Sequence, residues 1–326
     1  MRAWEVDHHG EPAAVLRLVE KEAPAPGPGQ IRLRVRATGI GLPDVLMCRG
    51  TYPMTPNLPF TPGQEVVGEV TGVGADVDLA LGMRVMATTL FPTGFGGFAE
   101  ETLASGDGAY PAPPGLSDAD AAGFWIPHFT AWVGLVNRGQ VRAGEWLAVL
   151  GAAGGSGSAA VQVGRALGAR VIAVAGGDEK LHYCRELGAE FVVDHRVGPV
   201  KDALRDITGG NNVHVIYDPV GGAAAADAMR AIASEGRFLV IGFASGEWPA
   251  LDARRLLGRN FSAVGVFPSA YGRDAFDEIY NGLCGLVARG EIRSTVDEIV
   301  PFDELPTALE RIASREILGK LVLGPA

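Results

Sequence analysis

Cysteine is scarce in this chain of 326 residues: there are three, Cys48, Cys184 and Cys284, far apart and without a Cys-x-x-Cys pair. That scarcity fits a reducing compartment and offers no ready metal motif. Basic residues are also few, 28 Lys and Arg against 38 Asp and Glu, and they gather in no run, so nucleic acid is not an expected partner. No uncharged apolar run reaches the length of about 18 residues that a membrane span needs, and the start, Met1-Arg2-Ala3-Trp4-Glu5, is too polar for a signal peptide. The expectation is a cytoplasmic protein with no membrane partner. Against these absences stand 47% hydrophobic and 20% charged residues, which exclude disorder, in a length that suggests two domains. Glycine is the one excess, with 46 residues, about twice the usual share.

Residues 30–36, Gln-Ile-Arg-Leu-Arg-Val-Arg, alternate apolar and polar at period two and predict a strand with one buried face. Further short strands are expected at 65–73, 84–89 and 97–102, separated by turn-rich pieces, which suggests an antiparallel barrel. Pro111-Ala112-Pro113-Pro114-Gly115 breaks the pattern, and Ser117 reads as the N-cap of a helix, placing a domain junction near residue 120. Beyond it, strands at 146–150, 171–174, 191–193, 214–217 and 237–241 alternate with helices at 157–167, 179–187 and 223–233. That is the βαβ rhythm of a parallel sheet. A strand at 261–267, a helix at 274–289 and a strand at 320–323 complete the chain.

The most informative motif is Gly151-Ala152-Ala153-Gly154-Gly155-Ser156-Gly157, running from a predicted strand into a predicted helix. Glycine lets the backbone turn sharply and approach a pyrophosphate while the helix N-terminus faces the anion. Its spacing departs from Gly-x-Gly-x-x-Gly, and a merely structural tight turn is the alternative. The next strand ends in Ala175-Gly176-Gly177, where an NAD enzyme places an acid on the ribose 2′-hydroxyl. The uncharged tip, with Lys180 nearby, favours NADPH; Asp178 and Glu179 read as first-turn residues complementing the helix dipole.

With these residues in view the chain resembles, end to end, the zinc-independent quinone oxidoreductases (zeta-crystallin-like) of the medium-chain dehydrogenase/reductase superfamily. The likeness rests on Asp44 with Gly50-Thr51-Tyr52-Pro53, on residues 59–68 (Pro-Phe-Thr-Pro-Gly-Gln-Glu-Val-Val-Gly), on Gly97-Phe98-Ala99-Glu100 and on Thr130-Ala131-Trp132. The glycine loop, Asp178-Glu179-Lys180-Leu181, Leu187-Gly188-Ala189 and residues 318–323 (Leu-Gly-Lys-Leu-Val-Leu) extend it. The resemblance implies an α/β fold: a GroES-like β-barrel substrate domain over 1–120, a Rossmann doubly wound parallel-sheet domain over 121–260, and a segment 261–326 that returns to the first domain.

For the cofactor NADPH it implies Thr130 at the nicotinamide end, Gly154, Gly155 and Ser156 at the pyrophosphate, and Gly176 with Lys180 at the 2′-phosphate. His195 stands where some members have a Tyr beside the adenosine phosphate, and Ile241, Gly242 and Phe243 match the loop along nicotinamide and ribose. Phe267 and Lys320 are further cofactor candidates. Tyr52 and Asp44 are the catalytic candidates: a phenol there orients substrate or donates to developing oxyanion charge, unless Tyr52 is a rim residue that only packs. His128, beside Thr130, is a substrate-contact candidate with packing as its alternative. Zinc-dependent relatives carry a Gly-His-Glu motif and an early catalytic Cys; here stand Gly63-Gln64-Glu65 and Leu42, Pro43 and Asp44, so no metal is expected.

Hydride transfer without a Lewis acid suits an electron-poor acceptor, a quinone or activated enone. The alternatives are an enoyl-thioester or alkenal reductase of the same superfamily and a non-catalytic NADPH-binding protein. The resemblance also implies a homodimer, through edge pairing near 261–267.

Overall fold

In the computed structural model, which describes residues 1–326, the alternating segment becomes a strand with Ile31, Leu33 and Val35 buried and Arg34 and Arg36 exposed. Numbered along the chain, the first strands are β1 (Arg2–Val6), β2 (Leu16–Glu20), β3 (Gln30–Ile40), β4 (Glu65–Val73), β5 (Arg84–Thr89) and β6 (Glu101–Pro111). β3 to β6 pair antiparallel in sequence, and β6 pairs back onto β3, which closes a barrel and removes its free edges. The barrel interior is filled by Ile31, Leu33, Val66, Val70, Val85 and Ala104. The strand expected at 97–102 starts only at Glu101, because Gly97 N–H and Phe98 N–H are taken by the carbonyls of Gly63 and Pro62.

The next six strands are β7 (Trp146–Leu150), β8 (Arg170–Ala175), β9 (Phe191–Asp194), β10 (Val213–Asp218), β11 (Ile232–Val240) and β12 (Ser262–Gly265). They form one parallel sheet in the order β12-β11-β10-β7-β8-β9, the doubly wound arrangement with its switch point between β7 and β10. All five residues of β7 are buried, as a strand covered on both faces must be. The helix expected at 223–233 stops earlier: it spans Gly222–Ala228, a 3₁₀ turn covers Met229–Ala231, and Ile232 already pairs with Val213. Two last strands, β13 (Val296–Val300) and β14 (Lys320–Leu323), rejoin the first sheet, β14 antiparallel to β3.

The chain thus divides into two units, residues 1–126 with 294–326 and residues 127–293. These divisions lie later than the expected junctions at 120/121 and 260/261. After the Ser117 cap, whose side chain accepts from Asp120 N–H, the chain stays with the barrel until Ile126, whose N–H donates to Glu65 at 2.8 Å. At the other end the helix Arg273–Ala288 packs within the parallel-sheet unit, with Phe276 edge-on to Phe129 at 4.7 Å, and Gln162 makes two hydrogen bonds to the backbone of Arg293. No helix is long and apolar enough to cross a membrane.

Candidate active site

In the parallel-sheet unit, β7 runs through Gly151 into the helix Gly155–Ala166. Gly151 has φ +57°, which a β-carbon disfavours. A Cβ on Gly157 would lie 2.2 Å from the Gly151 carbonyl oxygen and 2.7 Å from Ala152 Cα, so glycine there lets the helix close on its own turn. Gly154 is the N-cap and offers no side-chain cap. The first-turn N–H groups of Gly155, Ser156 and Gly157 lie where a helix has no carbonyls to receive them, a cradle suited to a phosphate. Ser156 Oγ lies 2.7 Å from the hydroxyl of Tyr217 on β10.

The end of β8 carries Gly176 and Gly177, and β9 brings its own end alongside. A Cβ on Gly176 would meet His195 Nε2 at 2.8 Å; one on Gly177, at φ +97°, would meet the Arg196 guanidinium at 2.5 Å. Asp194 holds this edge together: it accepts from Gly177 N–H at 3.0 Å, from Arg196 N–H at 2.9 Å and from the Arg196 guanidinium at 3.0 Å. The guanidinium holds the Asp194 carboxyl well below the usual carboxylate range. Asp194 is therefore a committed anion, and Arg196 a fixed cation beside two glycines at the start of the helix Asp178–Glu186, whose first turn contains Lys180. Sequence reading missed Arg196. The available signal was the requirement for an arginine near a 2′-phosphate, hidden because Arg196 lies a helix and a strand away from Gly177 along the chain.

At the switch point, Asp218 Oδ1 accepts from Val220 N–H and Gly221 N–H, both at 2.9 Å, and Oδ2 is buried without a partner. Burial pushes this carboxyl up to about 6. The Asp218 carbonyl receives the N–H groups of Ile241 and Gly242, so the loop after β11 is tied to the loop after β10. Phe243 stacks on Trp248 with ring centroids 4.3 Å apart, and Phe267 is half exposed beyond β12. Thr130 is half-buried on the helix Trp125–Trp132, and His128, two residues back, is buried.

In the barrel unit the remaining candidates gather. Asp44, in the helix Leu42–Cys48, accepts Gly41 N–H on Oδ2 at 2.8 Å and Gly63 N–H on Oδ1 at 3.0 Å. Burial raises its carboxyl to about 7, against the opposing pull of those N–H groups and of Lys320. Lys320 Nζ lies 2.5 Å from Glu65 Oε1 in a pair with both side chains at least nine-tenths buried. Burial also raises the Tyr52 phenol, with the Gln64 side chain opposing and Asp44 adding to the rise.

Lys320, a cofactor candidate, pairs its ammonium with Glu65, and Asp44, a catalytic candidate, accepts the backbone N–H groups of Gly41 and Gly63, one on each oxygen. The structure brings Tyr52, Asp44 and Lys320 into one unit and Thr130, the glycine turn, Gly176, Lys180, His195, residues 241–243 and Phe267 into the other. No three His, Cys, Asp or Glu side chains converge as metal ligands would, and burial pushes the Cys48 thiol up to about 12, far from a thiolate.

Two family models match the chain, "Alcohol dehydrogenase GroES-like domain" over residues 27–114 and "Zinc-binding dehydrogenase" over residues 155–283. The donor set around Gln64 does not fit the metal in the second description. A bovine (Bos taurus) quinone oxidoreductase-like protein 2 is 34% identical over 87% of this chain and 82% of its own. The structure of a probable oxidoreductase from Mycobacterium abscessus is 35% identical with a TM-score of 0.88, covering 100% of this chain and 99% of that one. The Escherichia coli quinone oxidoreductase complexed with NADPH superposes with a TM-score of 0.91 at 27% identity, covering 100% of both chains. With its barrel, its doubly wound sheet and its glycine turn, the chain belongs to the quinone oxidoreductase branch of the medium-chain dehydrogenase/reductase superfamily, and is an oxidoreductase.

Proposed function

We propose that this protein is an NADPH-dependent reductase that delivers hydride to a quinone or activated enone without zinc. The observation that carries the reading is the edge built by Gly176, Gly177 and Arg196. There, no acid ends β8, His195 and Arg196 lie directly over the two glycines, and Asp194 fixes a guanidinium where a 2′-phosphate needs a cation. The turn from Gly154 to Gly157 receives the pyrophosphate, Thr130 and residues 241–243 take the nicotinamide end, and the unit 127–293 is the cofactor domain. Bound NADPH supplies the hydride. The barrel unit supplies Tyr52, whose raised phenol keeps its proton at neutral pH and donates a hydrogen bond to the acceptor oxygen as negative charge develops there. Asp44 positions the Gly63-Gln64 turn beside it. β12, paired only with β11, presents the open edge through which two copies form a homodimer in the cytoplasm.

The experiment is the loss of NADPH absorbance with a panel of quinones, alkenals and enoyl thioesters, beside NADH. Turnover of quinones or enones with NADPH in strong preference to NADH, unaffected by a chelator, is the expected result. Binding of NADPH without oxidation by any acceptor overturns the enzymatic part, and equal use of NADH overturns the role given to Arg196. Metal dependence would contradict the reading of Gln64.

A further inference from the structure

We propose that Tyr217 is a positioning residue for the phosphate turn: its phenol donates to Ser156 and thereby commits the Ser156 proton to a pyrophosphate oxygen. This rests on the NADPH reading above. Tyr217 is fully buried on β10, where it pairs in register with Val149, two residues before the turn begins at Gly151. Its hydroxyl is 2.7 Å from Ser156 Oγ. The ring is held on its other side, since a Cβ on Gly134 would lie 3.0 Å from its Cε2.

A serine hydroxyl has one proton and two lone pairs. The Tyr217 hydroxyl is fully buried with Ser156 Oγ as its hydrogen-bond partner, whereas Ser156 is only half-buried, so the arrangement that satisfies both protons has the phenol donate to Ser156. One Ser156 lone pair is then occupied, and its own proton remains to be given away. Ser156 is the second residue of a twelve-residue helix and only half-buried, beside the first-turn N–H groups that face an anion. The natural acceptor is a phosphate oxygen, to which a hydroxyl makes a charge-assisted bond. Tyr217 thus sets the direction of a donor that it does not itself place on the ligand.

The test is equilibrium NADPH binding to the wild-type protein, Ser156→Ala, Tyr217→Phe and the double variant, with 2′-AMP as a probe that carries the 2′-phosphate but no pyrophosphate. Each single substitution is expected to weaken NADPH roughly tenfold, the worth of a hydrogen bond to a charged group. The double is expected to lose about the same tenfold rather than a hundredfold, because the two hydroxyls act as one unit. 2′-AMP should bind all four proteins within about twofold, since the hydroxyl pair makes no bond to the 2′-phosphate. Ser156→Thr, which keeps the hydroxyl, should bind NADPH like the wild type.

Unchanged NADPH affinity in Tyr217→Phe, multiplicative losses in the double, or parallel loss of 2′-AMP affinity each overturn the proposal while leaving the cofactor reading intact. A wild-type protein that fails to bind NADPH overturns the cofactor reading and the proposal with it. Should Tyr217→Phe not fold, the comparison of Ser156→Thr with Ser156→Ala decides: equal affinities overturn the proposal.

Discussion

Asp44 in the barrel unit and Asp218 in the parallel-sheet unit do similar work by different means. Each is a buried aspartate that holds two backbone N–H groups at a glycine-containing turn, and burial raises both carboxyls. Asp218 gathers both N–H groups on a single oxygen, from residues two and three positions ahead. Asp44 uses one oxygen for Gly41, three residues behind, and the other for Gly63, nineteen ahead. Asp218 is thus a local turn device, of the kind that Asp favours by bonding its own backbone. Asp44 is a tertiary clamp inside a charged cluster with Glu65 and Lys320. A turn made locally tolerates changes in its surroundings, whereas a clamp depends on every group around it.

The largest expected effect comes from breaking the cluster around the clamp. Lys320→Met leaves the buried Glu65 carboxyl without its cationic partner, which should cost about 4 kcal/mol. Denaturant unfolding checks it, and Glu65→Gln in the same protein should restore much of the loss. Next comes pH. Because both folded-state carboxyl values lie above the ordinary one, the fold favours the protonated forms. Their contribution is fully present below about pH 4 and is lost as pH rises through about 6 for Asp218, about 3 kcal/mol, and through about 7 for Asp44, about 4 kcal/mol.

Substitution by asparagine separates the two. Asp218→Asn keeps one oxygen for both N–H groups and should raise stability at pH 8 while flattening the slope below pH 7. Asp44→Asn can accept only one of its two N–H groups and should lower stability by about 2 kcal/mol, the cost of stranding a buried donor. Equal responses in thermal melts across this pH range would erase the distinction.

Within the glycine turn, Gly157→Ala should destabilise by about 2 kcal/mol, because the new Cβ overlaps the Gly151 carbonyl and the turn must shift. Gly154→Ala, whose Cβ meets nothing closer than 3.5 Å, should change stability by less than about 0.5 kcal/mol in the same melts. The last effect is confined to binding. Arg196→Ala should weaken NADPH about tenfold and leave NADH unchanged in a titration, since the charge-assisted bond proposed for it is to the 2′-phosphate.

Much of the parallel-sheet unit was legible in the sequence. The expected strand at 146–150 agrees with β7 to the residue, and the glycine turn is visible in the sequence, because its requirements are backbone requirements expressed in adjacent residues. β4 and β5 were equally exact. The reading failed where a neighbour from elsewhere took a backbone group, as the Pro62-Gly63 turn does at Gly97 and Phe98, and where a strand claimed the end of a helix, as at Ile232. The short strands β1 and β2 and the helices Val200–Ile207 and Leu305–Ala313 went unread. Of the candidate site, the glycines and Ser156 were visible, but Arg196 and Tyr217 were not, since nothing near them in sequence names their partners.

By itself, then, the sequence determined the alternation of strand and helix, the glycine turn after β7 and the uncharged end of β8, since periodicity and glycine content act over a few residues. Only the tertiary structure decided that Lys320 meets Glu65 across 255 positions, that Arg196 lies on Gly177 and Tyr217 on Ser156, and that the chain divides after 126 and after 293. The reason is physical. A buried charge or hydroxyl must find a partner wherever the fold supplies one, and the fold supplies it through space, not along the chain.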